Sequence, residues 1–179
     1  MWWSRYTGRP ATVSPDAGLQ RAAQRSGQLK TLAVDPGSRR IGLAVSDDSG
    51  TLATPLKVVD VRSEEHAVEV VAEAARREGC ARILVGVPLN MDGTRGPAAQ
   101  KAIAWGRRLR TVCALPVIFV DERLSSFAAE QHLATRKRAG ERITRATRRR
   151  RLDALAAAAF LQDYLDGRLP PLMPANDEP

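Results

Sequence analysis

The stretch from Thr31 to Asp47 constrains the fold more than any other part of the chain. A short apolar run, Leu32 to Val34, ends in Asp35, and a turn containing Gly37 separates it from a second apolar run, Ile41 to Val45. Two such runs around a short turn with glycine predict a β-hairpin. A carboxylate at the end of a buried strand is costly without a partner, so we expect Asp35 either to bind a cation or simply to cap the turn.

Strand and helix patterns alternate through the middle of the chain. A strand is predicted over 51–59, and Pro55 must lie at its edge or at a bulge because proline has no N–H to donate. Ser63 can cap a helix, since acidic residues and then apolar residues at helical spacing follow it. Beyond it we predict a strand over 82–87, a helix over 97–112, a strand over 116–120, a helix over 127–135 and a long helix over 142–166. This order predicts an α/β fold.

The two ends of the chain differ in composition from the middle. Residues 1–28 are polar and rich in Gly, Pro and Ser, which predicts a mobile N-terminal extension, and residues 169–179 are predicted to form a disordered tail. Residues 29–168 then form one domain, which is long enough to bury a core without disulfides or structural metal.

The compartment follows from what the sequence does not contain. No apolar run is long enough for a signal peptide or a membrane span, so we expect a cytoplasmic protein without a membrane partner. Cys80 and Cys113 form no CxxC pattern, which predicts two reduced thiols and no zinc site.

The net charge of +8 is concentrated in one segment, 136–151. That segment holds nine basic residues against Glu141 alone, and the remaining chain carries equal numbers of basic and acidic residues. A solvated helix face is the commoner cause of a charge run, but such one-sidedness favours a surface that binds an anionic polymer. The candidate nucleic-acid ligands are arginines of this segment and of the hairpin turn: Arg39, Arg142, Arg145, Arg148, Arg149 and Arg151.

Further acids follow the other elements. Asp121 and Glu122 come directly after the strand at 116–120, and they cannot both face one site unless the strand bends, so the pattern leaves the choice open. Asp153 lies in the last predicted helix, where it could also be a simple salt-bridge partner of Arg149 one turn earlier.

The segment 88–96, PLNMDGTRG, is a predicted loop that carries Asn90 and Asp92 as secondary site candidates. Asp92-Gly93 is a turn signal that requires no ligand. Loops at the carboxyl ends of strands are nonetheless where open α/β sheets bind ligands.

Acids from the first strand, the fifth strand and the last helix can meet only in the tertiary structure. A cluster of carboxylates without Cys or His suits Mg²⁺ or Mn²⁺, and two such ions about 4 Å apart could activate water and stabilise the leaving oxygen of a phosphodiester. The basic stripe would hold the nucleic-acid backbone and set its salt dependence.

Four sequence blocks resemble the bacterial YqgF family: DPGSRRIGLAVSD from Asp35, VGVPLNMDG from Val85, VDERLSS from Val120 and RLDALAA from Arg151. They occur in the family's order, and the resemblance covers about residues 29–165. It implies a ribonuclease H-like fold, with a mixed five-stranded sheet, antiparallel in its first three strands and flanked by helices. It also implies a nuclease domain over 29–168 in which Asp35, Glu122 and Asp153 are the catalytic, metal-binding acids, and so favours Glu122 over Asp121.

Departures from the family pattern are few. Ser125-Ser126 stand where the family usually has two threonines, which keeps both hydroxyls. Arg95 stands where an acid is common, and Arg151 where lysine is frequent, so both keep or add positive charge.

The resemblance implies a metal-dependent endonuclease, since the family is described as a pre-16S rRNA nuclease or a Holliday junction resolvase. We expect it to mature the 5′ end of 16S ribosomal RNA. The alternatives are a resolvase of four-way DNA junctions, which requires a dimer, and a non-catalytic RNA-binding factor in ribosome assembly or transcription. The expected partners are structured RNA or branched DNA, bound by a monomer or a homodimer, and eight aromatics in 179 residues favour contacts to the backbone over base stacking.

A related fold has to be distinguished from this one. Sugar kinases and actin-like ATPases also open with an Asp-x-Gly hairpin, but they need two such domains and this chain has room for one. A Walker phosphate loop is absent from the sequence.

Overall fold

The computed structural model describes residues 30–123 and 145–172, and for 145–152 it describes the backbone alone. Five strands form one sheet in the order β3-β2-β1-β4-β5: β1 (Thr31–Pro36), β2 (Arg40–Ser46), β3 (Ala53–Asp60), β4 (Arg82–Val87) and β5 (Val117–Asp121). β1, β2 and β3 pair antiparallel, whereas β4 pairs in parallel with both β1 and β5. The predicted α/β fold, with a mixed five-stranded sheet and antiparallel first three strands, is confirmed.

The hairpin register explains the role of its glycine. Asp35 lies opposite Gly42, and Leu32 lies opposite Val45, so the two apolar runs pair along their length as predicted. In β3 the register shifts between the partners of Leu43 and Ala44, which places Pro55 beside a bulge on an edge strand. The position predicted for this proline is confirmed, because neither site requires a ladder N–H.

Three helices flank the sheet: α1 (Glu64–Arg77), α2 (Pro97–Cys113) and α3 (Arg145–Leu165). Ser63 caps α1 as predicted, since its Oγ accepts a hydrogen bond from the His66 N–H at 3.2 Å. α2 starts with Pro97 in its first turn and ends at Ala114, whose φ of 54° is left-handed. The predicted helix over 127–135 and the first residues of the predicted last helix lie outside the described residues.

The sheet has two faces of different character. The α1–α2 face carries large aliphatic side chains that pack on α1 and α2, among them Leu32, Val34, Leu43, Ile83 and Val85. The α3 face carries smaller side chains under α3, and its buried cluster includes Ala33, Ala44, Leu84, Val120, Ala157 and Phe160. Alternation along each strand divides the residues between these faces.

The chain beyond α3 keeps contact with the sheet. Leu169 packs on the α3-face cluster, and the Leu172 N–H donates to the Phe119 carbonyl oxygen at 2.7 Å. This bond covers a backbone group of β5, which is an edge strand. The remainder of the predicted tail, 173–179, and the predicted extension 1–28 lie outside the described residues.

Both cysteines are free thiols. Cys80 is buried at the α1–α2 face, where burial raises the pKa of its thiol to about 11. The thiol is therefore protonated near neutral pH and a poor nucleophile. In the described ranges, no helix is both long and apolar enough to cross a membrane.

Candidate active site

Asp35 and Glu122 lie at the same edge of the sheet and on the same face. β1 and β5 both run parallel to β4, so their carboxyl ends meet at one edge. Asp35 shares the side of Ala33, and Glu122 shares the side of Val120, and both of these apolar residues belong to the α3 face. The Glu122 N–H still donates to the Val87 oxygen at 3.3 Å, so strand pairing extends to the acid itself.

The two carboxyl groups are hydrogen-bonded to each other, and both resist ionisation. Burial, together with the charge of Asp153, raises the pKa of Asp35 to about 6. Burial and then the charge of Asp35 raise the pKa of Glu122 to about 8, and the charge of Asp121 adds to this. Near neutral pH the metal-free pair therefore shares a proton, because two adjacent buried carboxylates cannot both be charged without a cation.

A glycine makes room for Glu122. A Cβ at Gly86 of β4 would meet Glu122 Oε2 and would lie 3.1 Å from the ring of Phe160 on α3. Glu122 Oε2 is itself buried. Gly86 therefore leaves the space that the carboxylate occupies between the sheet and α3.

Asp153 approaches the same edge from α3. A Cβ at Gly42 would meet the backbone of Asp153, with Ala154 N at 3.0 Å, so the helix backbone rests directly on β2 opposite Asp35. The Nε–H of Arg40 donates to Asp153 Oδ2 at 2.8 Å. The Asp153 carboxylate therefore lies near Asp35, and its negative charge adds to the rise in the pKa of Asp35.

These side chains suit a divalent cation, by charge and by donor type. All are oxygen donors, and the Asp35–Glu122 pair holds a proton where a cation could neutralise both charges. In the part of the chain with described side chains, however, no three His, Cys, Asp or Glu residues are arranged to hold one ion together. The structure brings Asp35 and Glu122 together, whereas Asp153 forms its ion pair with Arg40.

Asp121 faces away from this pair. Its carboxylate accepts hydrogen bonds from the Arg123 backbone N–H at 3.1 Å and from the Arg123 side chain, with an Nη2–Oδ2 distance of 2.7 Å. Arg123 Nη1 also donates to the carbonyl oxygens of Asn90 and Met91 at 2.7 and 3.0 Å. Asp121 is therefore paired within the protein, and alternation explains why Glu122 alone joins Asp35.

The other secondary candidates, Asn90 and Asp92, lie in the loop after β4. Asn90 Nδ2 donates to Thr94 Oγ1 at 2.8 Å, and Asp92 Oδ1 accepts from the Thr94 N–H at 2.9 Å. These bonds hold the Asp92-Gly93 turn, so both side chains are used in shaping the loop.

The basic candidates divide into two groups. Arg39 is exposed in the turn between β1 and β2. Arg142 lies outside the described residues, and Arg145, Arg148, Arg149 and Arg151 lie in the part of α3 described by its backbone alone. α3 runs from Gly42 at Asp153 to Ala53 at Gln162, so residues 145–152 continue about 12 Å past Asp153, beyond the carboxyl edge of the sheet.

The close approach of another backbone at Gly42 was predicted from its missing Cβ, and the contact with α3 confirms it. Sequence reasoning missed Arg40 and Gly86. Asp35 lies opposite Gly42, and Arg40 lies on the same face of the hairpin as Gly42. The hairpin register could therefore have predicted that Arg40 lies close to Asp35. The contact of Gly86 with Glu122 could not have been predicted in this way. It joins β4 to the residue after β5, so it depends on the order of the strands in the sheet.

Comparison with known proteins gives consistent results. The model of a family described as "RuvX: Holliday junction resolvase" matches residues 29–167. The chain is 43% identical over 142 residues to a "Putative pre-16S rRNA nuclease" of Anaeromyxobacter sp. (strain K), covering 79% of this chain and 100% of that protein. It is 36% identical over 140 residues to a protein of the same description from Caldanaerobacter subterraneus subsp. tengcongensis, covering 78% and 98%.

A solved structure shares the fold. It is described as "T. thermophilus RuvC in complex with Holliday junction substrate" and matches with a TM-score of 0.50 and 20% identity, over 80% of this chain and 99% of that one. The likeness confirms the ribonuclease H-like fold.

Proposed function

Because this chain belongs to the RuvX (YqgF) family, we propose that it is a metal-dependent endonuclease that matures the 5′ end of pre-16S ribosomal RNA. The observation that carries the proposal is the buried Asp35–Glu122 carboxyl pair at the carboxyl edge of the sheet, with Asp153 facing it from α3. A purely structural core would not place two adjacent carboxyl groups there, because their burial is unfavourable without a cation.

The side chains of this site have separate tasks. Asp35, Glu122 and Asp153 would hold Mg²⁺ or Mn²⁺, and the bound ions would activate water and stabilise the leaving oxygen. Asp35 and Glu122 must give up their shared proton to do so. Asp153 must share or exchange its Arg40 partner, since Arg40 occupies Oδ2 in the metal-free protein.

The arginines of α3 supply the second half of the proposal. Residues 145–152 extend beyond the carboxyl edge, next to the acids, where positive charge can hold a phosphate backbone. Arg39 in the hairpin turn is exposed at the same edge. Basic groups would therefore position the strand, and the acids would act on it.

The relatives support RNA as the substrate. Those described as pre-16S rRNA nucleases match this chain at 36–43% identity and over nearly all of their own length, which favours RNA. The second candidate, resolution of four-way DNA junctions, is favoured by the description of the family whose model matches residues 29–167.

One experiment separates the two substrates. Purified protein is offered a precursor 16S RNA fragment and a four-way DNA junction, with and without Mn²⁺, next to the Asp35→Asn variant. We expect Mn²⁺-dependent cleavage of the RNA by the wild type and none by the variant, with nucleic-acid binding retained in both. Cleavage of the junction alone would reassign the substrate, and tight binding without any cleavage would favour the RNA-binding factor.

A further inference from the structure

The loop 88–96, which follows β4, is fixed to the end of β5 by Arg123. The guanidinium donates to the Asn90 and Met91 carbonyl oxygens, and its Nε donates to Asp121 Oδ2 at 2.8 Å. Asp121 also accepts the Arg123 backbone N–H, so one carboxylate orients the whole side chain. Arg123 adjoins Glu122, which ties the position of the loop to that of the acidic pair.

The loop is also closed on itself. The Asn90 N–H donates to the Thr94 oxygen at 2.9 Å, the Gly93 N–H donates to the Asn90 oxygen at 2.8 Å, and Gly93 adopts a φ of +84°. A Cβ at Gly96 would lie 2.8 Å from Asn90 Oδ1, so the amide fills the space at the base of the loop. These contacts predict a loop with one shape before any partner arrives.

This loop presents an apolar side chain to solvent. Met91 is 92% exposed, against 60% for Leu52 and 57% for Val112, the other large exposed apolar residues in the described ranges. A single exposed apolar residue is ordinary on a protein surface. Met91 differs because its own carbonyl is one of the two that Arg123 holds, so its backbone is fixed at the carboxyl edge of the sheet, the edge that carries Asp35 and Glu122.

We propose that Met91 contacts an unstacked base of the RNA next to the cleavage site, and that Arg123 is the positioning residue that presents it. This inference rests on the proposed nuclease function. Apolar side chains, methionine among them, can insert between the bases of a nucleic acid, and RNA is recognised mainly at unpaired nucleotides, whose bases are already unstacked. A preformed loop makes such a contact without an ordering penalty.

The test compares two RNAs in the cleavage-deficient Asp35→Asn protein. One is a hairpin with a two-nucleotide bulge, and the other is the same hairpin fully paired; both carry a terminal fluorophore, and Kd is measured by anisotropy. We expect the bulged RNA to bind more tightly and Met91→Ala to weaken that RNA alone, by about tenfold. Val112→Ala, which shortens an exposed apolar side chain on α2, is the matched control and should change neither Kd.

Arg123→Lys tests the positioning role. Lysine keeps the charge but cannot bridge a carboxylate and two carbonyls at once, so it should lower the preference for the bulged RNA although Met91 is present. A melting curve checks that the variant is folded. An unchanged preference in Met91→Ala, or equal binding of both RNAs by the parent, overturns the inference. Absence of RNA cleavage by the wild type overturns the nuclease proposal instead, and leaves the binding preference to stand.

Discussion

The two faces of the sheet are built from the same strands but differ in the size and charge of the groups that pack on them. The α1–α2 face is covered by large aliphatic side chains such as Leu43, Ile83 and Val85, which fill the space under two helices. On the α3 face, Gly42 and Gly86 leave open space instead, and a helix backbone and a carboxylate enter it. The α1–α2 face is therefore filled by apolar packing, whereas the α3 face gives up packing volume to hold charged groups.

The largest expected effect is at the α3 face. Asp35→Asn should reduce Mg²⁺- or Mn²⁺-dependent cleavage by about a thousandfold, since the several kcal/mol of stabilisation supplied by bound ions would be lost. The thermal stability of the metal-free variant should stay equal or rise, because a neutral amide removes repulsion from the buried pair. Single-turnover cleavage and a melting curve check both parts. Wild-type cleavage by this variant would remove Asp35 from the site.

The matching change at the α1–α2 face is Leu43→Ala. Leu43 is fully buried, so its truncation should lower the free energy of unfolding by about 2–5 kcal/mol through lost burial and a cavity. Cleavage per folded molecule should hardly change, because Leu43 faces away from the acids. Urea unfolding combined with an active-site titration makes the comparison. A loss of activity in the folded fraction as large as that of Asp35→Asn would contradict the division between the faces.

The pH dependence of stability should also belong to the α3 face. The folded protein binds more protons than the unfolded chain between the ordinary carboxyl range and about pH 8, because the pKa values of Asp35 and Glu122 are raised to about 6 and about 8. Stability from this pair is present at low pH and is lost as pH rises through these values. The melting temperature of the metal-free protein should thus fall between pH 5 and 8.5, and Mn²⁺ should restore it at the upper end.

The control for this experiment is Asp35→Asn. The variant should show a flatter pH profile over the same range, because Asp35 no longer titrates and Glu122 loses its charged neighbour. Equal slopes for wild type and variant would place the pH dependence outside the carboxyl pair.

The smallest expected effect concerns the arginines of α3. Replacing Arg145 and Arg149 by Ala should weaken RNA binding and lower the slope of log K against log salt by about one unit for each lost phosphate contact. Lys101→Ala with Arg110→Ala removes the same charge from exposed positions on α2, at the other side of the sheet, and is the control. An equal change in slope for both pairs would mean that the net charge of the protein, rather than the arginines of α3 next to the acids, sets the affinity.

Much of the fold was predictable from local patterns. The hairpin, the bulge site of Pro55 and the Ser63 cap follow from turn and capping chemistry that acts over a few residues. The strand at 82–87 was predicted with its observed bounds, because glycine and proline bound this short apolar run. These features require no knowledge of what packs on them.

The candidate site was less accessible to such reasoning. The sequence pattern predicted that acids from the first strand, the fifth strand and the last helix meet, but only the family resemblance favoured Glu122 over Asp121. Arg40, which holds Asp153 across 113 residues, was not identified as part of the site. Arg123, which joins Asp121 to the loop 88–96, was likewise seen only in the structure.

The strands predicted over 51–59 and 116–120 are observed at Ala53–Asp60 and Val117–Asp121, so their bounds were only approximate. The sequence by itself determined which residues alternate along each strand, in which order the strands and helices follow, and which segment carries the net charge. It could not decide between Asp121 and Glu122, because alternation separates neighbouring side chains without saying which side α3 covers. The tertiary structure decided that point when Val120 and Ala33 joined one buried cluster, which put Glu122 and Asp35 on the same face. Periodicity is a property of one strand, whereas a shared site depends on how several strands and a helix pack together.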